Sequence, residues 1–144
     1  MLTPTDIARV RASFERIAPV RDSVADLFYY RLFRIAPQLR PLFPDELSDQ
    51  KRKLMQMMAT AVASLGNLEQ IVPAVMALGA RHAGYGVTTE HYAIVGEALL
   101  WTLEHGLGDE FTPDVRAAWV KVYTLLATTM QAGAAELSEL RAAE

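Results

Sequence analysis

The chain contains no cysteine. That single absence removes disulfides, thiolate nucleophiles, zinc ribbons and iron–sulfur clusters. Although 51% of its 144 residues are hydrophobic, no run approaches the roughly 18 apolar residues that a membrane-crossing helix needs, so no membrane association is expected. Positive charge is scarce as well. Lys and Arg number 14 against 17 Asp and Glu, and nucleic acid, whose phosphates require a clustered basic surface, is not an expected partner. The opening residues Met1-Leu2-Thr3-Pro4-Thr5-Asp6 have neither a positive end nor an apolar run, so no secretory signal is read there and a cytoplasmic location is expected. Repeats, low-complexity tracts and linkers are missing too. One domain over residues 1–144 follows as the expectation, with one hydrophobic core and no reductase or output domain.

Period-two alternation is also lacking, and helical periodicity takes its place. Thr3-Pro4-Thr5-Asp6 reads as an N-cap, a first-turn proline and an acid three residues after the cap, followed by Ile7, Val10, Phe14 and Ile17 at helical spacing. A second helix, from near Val20, carries Val24, Leu27, Phe28, Arg31 and Leu32 and ends before Pro37. Gln38 to Phe43, with Pro41 inside, has room only for a short turn. Ser48 is the expected cap of the next helix, whose stripe is Leu54, Met58, Ala61, Val62 and Leu65. Gly66-Asn67 stops it. Ile71, Val75, Leu78 and His82 share one face of a further helix, ended by Gly84, Gly86 and Val87. Thr89 is the expected cap of a helix with Tyr92, Val95, Leu99 and Leu103 inward. Thr112-Pro113-Asp114 opens the last, with Val115, Trp119, Val122 and Leu126 as its stripe, and Gly133 to Glu144 reads as a fraying end. The fold class is all-α, with about seven helices packed pairwise around a pocket.

Three polar residues interrupt these apolar faces. On spacing alone His82 fits a satisfied core histidine, or one favoured by a helix C-terminus, better than a metal ligand. As a ligand, its second ring nitrogen needs an acceptor, and the carbonyl of Leu78 is one turn back. His91 and His105 are not spaced to complete a metal cage with it. A lone histidine beside a large apolar pocket points to haem rather than bare zinc. Tyr29 and Gln50 read either as a core tyrosine and a solvated first-turn glutamine, or as two donors from different helices aimed into one dry cavity. There they would stabilise a bound gas that takes on negative charge. Met55, Met57 and Met58 read as core filler, as do Trp101 and Trp119. Arg52, Lys53 and Arg81 read as solvated, with Arg81 beside His82 also placed to meet a cofactor carboxylate.

The order and spacing of several segments resemble the globins, in their bacterial single-domain and flavohaemoglobin-like branch. They are Leu27-Phe28-Tyr29-Tyr30-Arg31-Leu32-Phe33, Pro37 to Phe43, Gln50 to Met55, Leu78 to Val87, His91 to Glu97 and Ala118 to Tyr123. The resemblance implies a globin fold around one haem b, with His82 as the proximal ligand of the iron. Tyr29 and Gln50 are the implied distal donors, with Leu54 covering the ligand site. Phe43 is implied to wedge against the haem after the turn at Pro37. The remaining implied cofactor contacts are Lys53, Arg81, Tyr85, Val87, Tyr92 and Val95. One departure stands out: Ala134 occupies the position of a last-helix glutamate that in flavohaemoglobins bonds the proximal histidine, with Glu136 two residues on. The functions implied are reversible oxygen binding at five-coordinate ferrous iron for storage, transport or scavenging, or conversion of nitric oxide and oxygen to nitrate with a separate reductase. Carbon monoxide is a further implied ligand. A gas sensor acting through partners and a haem-free interaction module are weaker alternatives.

Overall fold

The computed structural model describes residues 2–143; Met1 and Glu144, the ends of the two terminal segments read above, lie outside the described residues. Among these, six α-helices and four 3₁₀ turns make up the fold, with no strand: α1 (Pro4–Ile17), α2 (Arg21–Ile35), α3 (Ser48–Ala63), α4 (Val72–Gly84), α5 (Thr89–Leu107) and α6 (Pro113–Ala143). The seventh expected helix is a 3₁₀ segment, Pro37–Leu42. Its two prolines remove amide donors, which leaves only the tighter turn.

The helix starts follow local chemistry, with two shifts from expectation. Thr3 and Asp6 form a reciprocal capping box on α1. Ser48 is the first residue of α3 rather than its cap; its amide and hydroxyl both donate to the Glu46 carboxylate, which sits where the helix dipole favours negative charge. Thr88, not Thr89, caps α5, and its amide donates to His91 Nδ1 at 3.0 Å. At the other end of α3, Arg11 donates to the carbonyls of Val62 and Ala63 at 3.3 and 3.2 Å, satisfying groups the helix leaves open.

Packing is pairwise. α2 lies against α5 and α3, α1 against α6, and α4 along α6. Val10, Ile17, Leu32, Thr102 and Leu103 are the most deeply buried large side chains. Thr102 satisfies its hydroxyl on the Ala98 carbonyl, as a buried polar group must. Trp119 is core as expected and donates to Ser13 Oγ at 2.8 Å. Trp101 is not core. It is half-buried between the Arg31 guanidinium, 5.1 Å from its ring, and a His105 imidazole stacked at 3.8 Å. The expected frayed end is a continuation of α6, whose 31 residues make a rod of about 46 Å, with Gly133 buried.

Lys121 Nζ donates to Asp6 Oδ2 at 2.8 Å, tying α6 to α1. The Lys121 ammonium, then the Thr3 amide, hold the Asp6 carboxyl down at about 2, against about 3.9 in an unfolded chain. A depressed carboxylate contributes stability that is complete above the unfolded value and is lost as pH falls through the folded one. Asp6→Asn is therefore expected to lower Tm at pH 5 to 7, with the gap to wild type closing as pH falls from about 4 to about 2. Thermal unfolding across that range checks this; a gap independent of pH would contradict it.

Candidate functional site

The residues singled out in the sequence fall into two groups. The first is built on α2, the Pro37–Leu42 turn and the start of α3. Tyr29 is buried at 4% exposure, its ring edge-on to Phe28 at 5.0 Å and to Phe43 at 5.8 Å, with Phe33 beside it at 6.0 Å. This apolar box pushes the phenol up to about 12 through desolvation, against a smaller lowering by Gln50, so the hydroxyl stays protonated. It donates to the backbone carbonyl of Gln50 at 3.5 Å. That is far longer than the 2.7–2.8 Å usual for a hydroxyl donor, and the proton is only loosely engaged. The Gln50 side chain is half-buried on α3, and Leu54, one turn on, is half-buried against the core. Beside Tyr29, Lys51 bridges to Asp26 at 2.9 Å. Both line an open recess of about 800 Å³ that has Tyr29, Phe33 and Leu47 in its wall.

The second group lies on α4 and α5. His82 is half-buried in the last turn of α4. Its Nδ1 lies 2.8 Å from the Leu78 carbonyl. A carbonyl only accepts, so Nδ1 carries the proton and the lone pair of the neutral ring is on Nε2. This is the tautomer that presents Nε2 to a metal. Tyr85 sits edge-on to the imidazole at 6.1 Å and is otherwise 62% exposed. Val87 is half-buried, and its amide closes the turn on the His82 carbonyl. Gly86, at φ 93°, takes a left-handed conformation that favours glycine, and a Cβ there would lie 3.5 Å from the Leu42 side chain. The open recess beside Tyr29 is lined by neither His82 nor any other residue of the second group.

Tyr92 and Val95 are half-buried on α5. The reading of Tyr92 missed its partner: Tyr123 Oη donates to the Tyr92 backbone carbonyl at 2.5 Å, and burial pushes both phenols up. Gly96 makes room for this. A Cβ there would lie 2.8 Å from the Tyr123 ring. Lys53 and Arg81 are exposed, in keeping with solvated side chains. Glu136 is exposed on α6, and Ala134 offers no acceptor.

The chemistry of the donor set discriminates between a bare ion and a macrocycle. No group of three or more His, Asp or Glu residues among those described could cage an ion. His91 is spent on its cap, and His105 is stacked on Trp101, donating to that residue's carbonyl. His82 therefore supplies one nitrogen, which would suit a metal whose remaining bonds come from a porphyrin. Among α3, α5 and α6, Met58, Ala61, Val62, Leu99, Trp119, Val122, Tyr123 and Leu126 line a small apolar cavity of about 30 Å³.

Comparison with known proteins adds ancestry. The Globin family model matches residues 26–130. Neuroglobin-1 of Oncorhynchus mykiss is 30% identical over 152 aligned positions, covering 96% of each chain. The flavohemoprotein of Bacillus subtilis (strain 168) is 30% identical over 130, covering 88% of this chain but 33% of that protein. An engineered carbene transferase from Rhodothermus marinus, described as a nitric oxide dioxygenase, superposes with a TM-score of 0.88 at 25% identity over 99% of both chains. A bacterial globin from Campylobacter jejuni, at 24% identity, gives 0.85 over 95% of this chain and 99% of that one, and bears on the fold alone.

Tyr123→Phe is expected to lower the free energy of unfolding by about 1 kcal/mol, the usual net worth of one hydrogen bond. Gly96→Ala is expected to cost more, because the anchored ring must give way. Urea titration measures both, and a Tyr123→Phe chain as stable as wild type would show that the bond contributes nothing.

Proposed function

Since the chain belongs to the globin family, we propose that it holds one haem b through His82 and binds oxygen and other diatomic gases, carbon monoxide and nitric oxide among them, reversibly. Globins are haem proteins that bind such gases; the ligand preference, the single-domain organisation and a cytoplasmic place of action are part of the proposal. When bound, the haem supplies a ferrous iron with one open position for a gas.

The observation that carries the reading is the Leu78 carbonyl on His82 Nδ1. A neutral acceptor orients the ring and fixes the tautomer, yet leaves the imidazole less anionic than a carboxylate would. With Ala134 at the position where the flavohaemoglobin resemblance expects glutamate, and Glu136 exposed, the chain lacks the electron push that favours breaking an oxygen–oxygen bond. That favours holding the gas over consuming it. On the other face, Tyr29 is a buried, protonated donor whose hydrogen is weakly committed. It can turn to a ligand that gains negative charge at little cost, and its low-dielectric surroundings strengthen the bond. Gln50, in the first turn of α3, would be the second donor. Leu54 and Phe43 would keep water from the ligand. Tyr85, Val87, Tyr92 and Val95 would pack against the haem on the His82 side, and the exposed Lys53 and Arg81 would meet its carboxylates.

A second reading draws support from the likeness to the flavohemoprotein and the Rhodothermus marinus protein. Nitric oxide and oxygen would combine to nitrate, with one electron supplied by a separate reductase. It uses the same residues and is distinguished by sustained nitric oxide consumption when a reductase is added.

His82→Ala is expected to abolish the iron–imidazole bond. An unaltered ferrous absorption spectrum would remove His82 from the proximal role. Tyr29→Phe is expected to speed oxygen dissociation about 10- to 100-fold, the equivalent of roughly 1.5–3 kcal/mol for a hydrogen bond to a charged acceptor. Stopped-flow displacement of oxygen by carbon monoxide measures it, and an unchanged rate would turn Tyr29 away from the ligand.

A further inference from the structure

Helix α4 reaches the rest of the fold through its backbone more than its side chains. Only Val75 and Gly79 are buried along it, yet it lies along α6. A Cβ on Gly79 would overlap the Met130 carbonyl and come within 2.5 Å of Met130 Cα; one on Gly133 would overlap the Met76 carbonyl and come within 2.7 Å of Met76 Cα. The contacts are reciprocal. Met76-Ala77-Leu78-Gly79 on α4 meets Met130-Gln131-Ala132-Gly133 on α6, and the crossed numbering makes the two helices antiparallel.

Backbone freedom does not explain these glycines. The positive-φ glycines are Gly86 and Gly108 alone, so Gly79 and Gly133 adopt torsions open to any residue. Alanine is the better helix former, and alanines flank both sites at Ala77, Ala80, Ala132 and Ala134. The missing Cβ is what these two positions supply: it lets the backbones touch at a separation favourable for weak Cα–H···O contacts.

We propose that this glycine seam is the positioning element for His82, setting how far α4 stands off α6 and hence the depth at which Nε2 is presented. The inference rests on His82 being the haem ligand. Gly79 is one turn before His82 and adjacent to Leu78, whose carbonyl holds the ring. A methyl group at either glycine meets backbone on the opposite helix, so no side-chain rotation relieves the overlap and α4 must shift as a body. Leu78 and His82 travel with it. The ring keeps its hydrogen bond but changes height relative to α2, α3 and α5.

The test is the iron–histidine stretching frequency of the ferrous, ligand-free protein, read by resonance Raman in haem-loaded Gly79→Ala and Gly133→Ala chains whose circular dichroism matches wild type. Both are expected to shift the frequency. Gly84→Ala is the control, the same change on the same helix where a Cβ meets nothing within 4 Å, and is expected to leave it unmoved. In a His82→Gly background with free imidazole as the ligand, the seam substitutions are expected to lose their effect, because the ligand is no longer tethered to α4. An unshifted frequency in the folded alanine chains, or a shift that persists with free imidazole, would overturn the proposal. A His82→Gly chain that keeps the wild-type spectrum without imidazole would instead refute the ligand assignment. Should neither alanine chain fold, hydrogen exchange in the wild-type protein decides: slow exchange at residues 76–80 and 130–134 is expected, and exchange there as fast as in the last turn of α4 would overturn the seam.

Discussion

Everything proposed for this molecule depends on how α4 is held. A helix that carries the proposed metal ligand and buries only Val75 and Gly79 has little apolar area with which to fix itself, since stabilisation scales with the surface removed from water. Contact between backbones answers that shortage. Each glycine in mid-helix costs about 1 kcal/mol relative to alanine, and two of them are retained where α4 meets α6. The length of α6 acquires a reason from this. Its first half packs on α1 through Trp119 and Lys121, and its second half is the rail on which α4 lies.

The two faces of the site are built on different physics. On the side of Tyr29 the structure withholds solvent. Aromatic rings surround a phenol whose proton has no strong partner, leaving a donor free to respond to whatever enters. On the side of His82 the structure commits every group. Nδ1 is spent on Leu78, the loop amide of Val87 on the His82 carbonyl, and Nε2 alone remains. One face is adaptable and the other is fixed, which is the division expected of a protein that must hold a cofactor permanently and a gas briefly.

Much of this was legible in the sequence because it is written in short-range patterns. The helical stripes, the prolines at Pro4 and Pro113, the capping pair of Thr3 and Asp6 and the Leu78–His82 spacing all depend on residues within a turn or two of each other. The caps fall at Leu47 and Thr88 rather than Ser48 and Thr89, one-residue shifts set by backbone torsions that pattern does not resolve, and Trp101 was misjudged because a half-buried indole has the same helical spacing as a core one. What sequence could not disclose is contact between distant backbones. Gly79, Gly133 and Gly96 have meaning only beside Met130, Met76 and Tyr123, and nothing in their own neighbourhoods announces those partners. The bond Tyr29 makes to the Gln50 backbone carbonyl is likewise a matter of tertiary placement.

The hydrogen bond from Trp119 to Ser13 spans a sequence separation of 106, and the Lys121–Asp6 pair spans 115. Closing loops of that size carries an entropy cost that local helices never meet, and such long-range pairings are formed slowly relative to local ones. Docking α1 on α6 therefore carries a closure cost that no contact inside a single helix meets. The indole of Trp119 is dry and hydrogen-bonded to Ser13 only when that docking is complete, so in a chain with Trp101 replaced its fluorescence reports the meeting of the first and last helices.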